Sequence, residues 1–166
     1  MKTPSIALNI TTDAGQFVAR YSEKGLAGLN FPSVGRASPR AVKPAAVPTT
    51  IRRWHRATTA ALKTILAGSE PKRFPPLDLV GTEFQKSVWH ALQKISIGKT
   101  KSYGQIAQAI GKPKAVRAVG GACGANPIPV LVPCHRVLAA NRKIGGFSGG
   151  LDRKRELLAR EGVKFR

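Results

Sequence analysis

The sequence predicts an α/β protein in two parts: a small N-terminal sheet-plus-helix domain, then a mainly helical C-terminal domain with a helix-turn-helix. Three observations predict it. Short apolar runs near the N-terminus are parted by turn residues. Two Ser/Thr-x-x-Gln signatures open apolar stripes in the second half, as capping boxes do. A Gly-Lys-Pro turn joins two of the short helices that follow.

The runs Ile6–Ile10, Gln16–Tyr21 and Leu26–Phe31 are separated by Asp13-Ala14-Gly15 and Glu23-Lys24-Gly25. That spacing predicts a small antiparallel meander. Residues 32–48 are basic and carry Pro32, Pro39, Pro44 and Pro48, which predicts a loop able to touch phosphates nonspecifically. A helix is expected from about Thr50 to Leu66, stopped at Gly68. Pro71, Pro75 and Pro76 mark a junction, giving domains at 1–76 and 77–166. Thr82-Glu83-Phe84-Gln85 caps a helix whose Phe84, Val88, Leu92 and Ile95 recur at helical spacing. Ser102-Tyr103-Gly104-Gln105 caps the next, with Ile106, Ala107 and Ile110 as its stripe.

After Gly111-Lys112-Pro113 a third helix is expected from about Lys114 to Cys123. Val116, Val119 and Cys123 form its apolar face, and Lys114 and Arg117 lie opposite. The small residues Ala115, Ala118, Gly120 and Gly121 allow close approach of a nucleic-acid backbone. Such a helical pair reads as a helix-turn-helix, although a plain helical hairpin has the same pattern. A last helix is expected from Leu151 to Glu161, with Gly162 as its stop.

Charge narrows the partner. The 166 residues hold 28 Lys and Arg against 8 acidic side chains, a formal net charge of +20. A chain this basic is expected to meet a polyanion, nucleic acid first. No apolar run reaches membrane-spanning length. No signal-peptide pattern opens the chain, so a reducing compartment with free thiols is expected. Two cysteines do not make a disulfide scaffold, and no Cys/His spacing suits a metal.

The chemistry is concentrated in Pro133-Cys134-His135-Arg136-Val137. Sulfur attacks as thiolate, so an adjacent histidine able to take the proton and an arginine adding positive potential are informative. Val130–Val132 should be buried, and Pro133 should end any regular pairing there. Cys134 would then sit where a buried segment breaks. On these residues alone, a reactive thiol and a structural buried thiol both remain open. Further on, Lys143–Gly150 is a glycine-rich loop offering bare N–H groups to a flat ligand.

From Gly81 to Gly162 this order resembles the O6-alkylguanine-DNA alkyltransferases, or methylated-DNA–protein-cysteine methyltransferases. The resemblance rests on Ser102–Ala107, Ala115–Gly120, Asn126-Pro127, the Pro-Cys-His-Arg-Val core, Gly146–Leu151 and Glu161-Gly162. It implies a ribonuclease-H-like first domain. The implied activity is single-turnover transfer of an alkyl group from O6 of guanine in duplex DNA to Cys134, with base flipping. O4 of thymine stays open as a second site of attack. It implies that His135 activates Cys134 through water, that Glu161 orients His135, and that Asn126 holds the active-site loop. Arg117 would enter the duplex in place of the flipped base, and Tyr103 would turn the phosphate and hydrogen-bond the guanine. Ser102, Lys114, Ala115 and Gly120 would contact DNA, and Val137, Gly145, Phe147 and Ser148 would wall the base pocket. The implied protein is a monomer without cofactor or metal, working on DNA in the cytoplasm, or in the nucleus of a eukaryote. Two departures stand out. Phe147 occupies a position where relatives often have tyrosine, and the metal-binding residues of some relatives' first domain are missing. A nonreactive DNA-binding module and a thiol hydrolase or redox sensor are the competing readings.

Overall fold

The computed structural model describes residues 5–33 and 46–166, so most of the 32–48 loop lies outside the described residues. Strands β1 (Ile6–Thr12), β2 (Gly15–Tyr21) and β3 (Leu26–Asn30) form the antiparallel meander, in the order β1-β2-β3. Thr12 faces Gly15 across a tight turn, and Gly15 has φ +107, a conformation glycine adopts without a Cβ clash. Alternation puts Phe17, Ala19 and Tyr21 on the buried face of β2. Helix α1 (Thr49–Leu66) lays Ile51, Thr58, Ala61, Leu62 and Ile65 against that side and ends before Gly68. The 76–78 segment then returns along β3, with Leu26 N–H bonded to Pro76 O and Asp78 N–H to Leu26 O. Gly25 is required there, because a Cβ would fall 2.3 Å from Pro76 O.

Both capping boxes form. Thr82 Oγ1 accepts from Gln85 N–H at the start of α2 (Glu83–Gln93), and Ser102 Oγ accepts from Gln105 N–H at the start of α3 (Tyr103–Ala109). Each glutamine reaches back to its cap's own N–H. Helix α4 (Val116–Gly124) begins two residues later than expected, because Pro113–Ala115 remain in the turn after α3. The expected apolar face also shifts: Val119, Ala122 and Cys123 are buried, whereas Val116 is 41% exposed. Trp89 of α2 locks this pair of helices by donating its indole N–H to Ala122 O at 2.8 Å.

A two-stranded parallel ladder pairs β4 (Lys101–Ser102) with β5 (Val137–Leu138), and α5 (Leu151–Arg160) closes the chain before Gly162. One buried cluster draws Ile10, Phe17, Tyr21 and Leu62 from the first half and Val88, Trp89, Val119 and Val132 from the second. None of the described helices is long and apolar enough to cross a membrane.

Candidate active site

Local backbone geometry delivers Cys134. Asn126 spans the loop ahead of it: its Nδ2 donates to Val132 O at 2.7 Å, and its Oδ1 accepts from Ile128 N–H at 3.0 Å. Inside that span Val130 is wholly buried at φ +75, a left-handed conformation that costs a β-branched residue about 1–3 kcal/mol. Pro133 (φ −81, ψ 65) is the centre of an inverse γ-turn closed by Cys134 N–H to Val132 O at 2.8 Å. Cys134–Arg136 then form one 3-10 turn. So short an element has no helix dipole to offer, and anion stabilisation falls to individual N–H groups.

Behind the thiol sits a buried triad. His135 Nε2 lies 2.8 Å from Glu161 Oε1, and Arg136 grips the same carboxylate through Nε and Nη2 at 3.0–3.1 Å. Arg136 also donates to Ile95 O. Its positive charge is therefore committed to Glu161 rather than added at the sulfur as the sequence suggested. Burial alone would raise the Glu161 carboxyl, but hydrogen bonds and charge from His135 and Arg136 outweigh it and bring it down to about 2. An ionised Glu161 makes Nε2 the protonated nitrogen of His135. Burial lowers the imidazole pKa, so the ring is neutral, with a lone pair on Nδ1. That Nδ1 is buried and has no protein partner.

Burial also pushes the Cys134 thiol up. Asn126, the Lys154 ammonium and the N–H groups of Cys134 and His135 pull the other way. Lys154 was not singled out in the sequence. Its side chain is fully buried, and Nζ donates to Val137 O at 2.7 Å and to Gly146 O at 3.0 Å. Burial brings its pKa to about 8, with Cys134 and Cys123 acting against the fall. The detectable signal was its place one helical turn before Leu157 and Leu158, on the apolar face of α5.

Cys134 opens onto a cavity of about 510 Å³. Gly145, Phe147 and Ser148, expected as pocket walls, line it, together with Tyr103, Arg117 and Gly120, which the sequence reading assigned to DNA contact, and with Val116, Cys123 and Gly146. Tyr103 Oη donates to Gly146 O at 3.4 Å, and a Cβ at Gly145 (φ +69) would press on the Tyr103 ring at 3.2 Å. Val137 does not line the cavity; it is fully buried in β5 and holds Lys154 through its carbonyl. Ser102, Lys114 and Ala115 lie outside the lining, at the start of α3 and ahead of α4. Asn126, His135 and Glu161 support the cavity from behind. Cys123, on the expected apolar face of α4, is buried, and burial raises its thiol to about 12. A larger recess of about 670 Å³, between Phe74–Leu79 and α2, contains no cysteine.

Comparison with known proteins bears on this geometry. The profile described as "6-O-methylguanine DNA methyltransferase, DNA binding domain" matches residues 83–163. The Mycobacterium tuberculosis O6-methylguanine methyltransferase structure superposes with a TM-score of 0.75 at 35% identity, covering 95% of this chain and 93% of that one. The chain belongs to the methylated-DNA–protein-cysteine methyltransferase family. A Mycolicibacterium paratuberculosis member is 61% identical over 85 residues, 51% of this chain and 52% of the relative. One from Methanosarcina acetivorans is 60% identical over 82 residues, 49% and 53%. The chain thus spans about half the length of the curated methyltransferases it matches. The M. tuberculosis protein has also been solved in complex with DNA; that structure gives a TM-score of 0.73 at 37% identity, covering 93% and 91%. Family membership gives the architecture a reference: an α/β protein with a small antiparallel sheet beside helices.

Proposed function

We propose that the protein repairs duplex DNA by direct reversal, moving one alkyl group from O6 of guanine to Cys134. The observation that carries this reading is a buried Cys134 thiol at an open cavity, with a neutral His135 held behind it by an ionised Glu161. The alkyl carbon on O6 is a soft, sp3 centre with a poor leaving group, which calls for a sulfur nucleophile and a proton for the departing oxygen. His135 Nδ1 takes the Cys134 proton, through water if the gap requires it. The sulfur attacks the alkyl carbon, the S–C bond forms and the C–O bond breaks, and guanine leaves as its O6 anion. The proton removed from Cys134 neutralises that anion, with the Tyr103 hydroxyl able to relay it, and guanine is restored. The thioether has no easy leaving path, so each molecule acts once. The scheme uses no cofactor or metal.

Inside a stacked duplex the reacting atom is out of reach, so the base must flip, at a cost of a few kcal/mol. In this reading α3 and α4 act as the helix-turn-helix, with Arg117 plugging the stack and Tyr103 turning the flipped nucleotide. Ser102, Lys114, Ala115 and Gly120 meet the strand, and Gly145, Phe147 and Ser148 wall the extruded base. The net charge of +20 supplies nonspecific attraction. Residues 1–76 form a ribonuclease-H-like lobe and 77–166 the reactive lobe. The protein acts as a monomer on DNA, in the cytoplasm or a nucleus. Incubation with an O6-methylguanine duplex should add a single methyl to Cys134 by mass spectrometry, and Cys134→Ala should bind the duplex without gaining mass. Wild-type binding without mass gain would favour a binding module instead.

A further inference from the structure

Phe147, the aromatic wall of the Cys134 cavity, is braced by the other half of the chain. Its ring meets Phe31 edge-on, with centroids 5.8 Å apart and planes at 72°. Phe31 in turn tilts against Phe17 at 5.6 Å, and Phe17 is buried in β2. From α5, Arg153 lays its guanidinium 5.0 Å over the Phe31 ring and donates to Pro32 O. Gly149 fits between the rings: a Cβ there would stand 2.8 Å from both Phe147 and Phe31. Phenylalanine has no polar group to tether it, so packing sets where the Phe147 ring stands.

We propose that Phe31 is a specificity-determining residue: by backing Phe147 it sets the width of the pocket, and so the size of alkyl group that Cys134 accepts. The inference rests on the alkyl-transfer reading above. Phe31 stands edge-on against the Phe147 ring and is itself held by Phe17 and Arg153, so Phe147 cannot shift toward it without displacing that stack. Phe31 touches no reacting atom; it acts through Phe147.

Single-turnover transfer tests this in the intact protein, using duplexes that carry either O6-methylguanine or O6-butylguanine. Phe31→Ala should raise the butyl-to-methyl rate ratio about tenfold, the scale on which an apolar pocket discriminates by size. Phe31→Leu should give a smaller rise in the same direction. Adding Phe31→Leu to Phe147→Leu should move the ratio little beyond Phe147→Leu alone. Equal scaling of both rates by Phe31→Ala would overturn the proposal, as would full additivity in the double variant. If Phe31→Ala does not fold, an unchanged ratio in Phe31→Leu overturns it instead. A wild type that reacts with neither duplex would overturn the repair reading and this inference with it. A wild type that takes methyl, with a ratio indifferent to Phe31, would sink the inference alone.

Discussion

Arg136 and Glu161 meet as a fully buried ion pair, with Nε 3.0 Å from Oε2 and both side chains almost closed to solvent. The same carboxylate receives the 2.8 Å bond from His135 Nε2. Glu161 thus links its neighbours: Arg136 and the Gly98 N–H fix the carboxylate, and the carboxylate fixes the imidazole tautomer. This explains an acidic residue at the C-terminal end of α5, where the helix dipole disfavours it.

Glu161→Gln should therefore damage stability and chemistry together. It leaves Arg136 as a buried charge without its counterion, a loss of about 3–5 kcal/mol. It also lets His135 adopt either tautomer, and alkyl transfer should slow by about 100-fold or more. Urea unfolding reads the first effect and single-turnover transfer the second. A Glu161→Gln protein of wild-type stability would contradict the ion pair.

Acid should unfold the protein in two stages. His135 has a lowered pKa in the fold, so the unfolded chain takes up its proton first, and stability falls as pH drops through the ordinary histidine value of 6.5. Glu161 is likewise depressed, from 4.5 to about 2. Its contribution is complete above the unfolded carboxylate pKa and is lost as pH falls toward 2. Equilibrium unfolding between pH 8 and pH 2 should show both windows, and Glu161→Gln should remove the lower one.

Much of this was legible because it is local. Thr82 with Gln85 and Ser102 with Gln105 bond across three residues, so sequence spacing alone identified both helix starts. Cys134 and His135 are adjacent, and the apolar run before Pro133 signalled their burial. What escaped was the long-range partner that each buried cation finds. Arg136 finds Glu161 across 25 residues, and Lys154 finds the carbonyl of Val137 across 17. A lysine within Leu151-Asp152-Arg153-Lys154-Arg155-Glu156 looks solvated until its face is compared with that of Leu157 and Leu158. Val116 was assigned to the core because it is apolar; it instead lines a cavity.

Lys154→Met should raise the Cys134 thiol pKa further, because it removes a buried cation that lowers it. The pH profile for alkylation of Cys134 by iodoacetamide should move upward, and the rate near pH 8 should fall about tenfold. The substitution also frees Gly146 O from its buried donor, so the Tyr103–Gly146 contact should loosen. An unmoved profile would mean that the ammonium serves only as a tether for the two carbonyls.

Arg117 and Lys114 are both exposed, yet their loss should read differently. Arg117 lines the Cys134 cavity, whereas Lys114 sits in the turn ahead of α4. If Arg117 fills the space left by the flipped base, Arg117→Ala should slow transfer from duplex O6-methylguanine and leave transfer from the free base unchanged, since no stack needs plugging there. If Lys114 neutralises a phosphate, Lys114→Ala should weaken binding evenly across sequences and reduce the salt slope of affinity by about one. Equal slowing on duplex and free base would instead place Arg117 in the chemistry of the pocket. That outcome would separate the plug from a mere lining residue, because only the plug depends on the opposing strand.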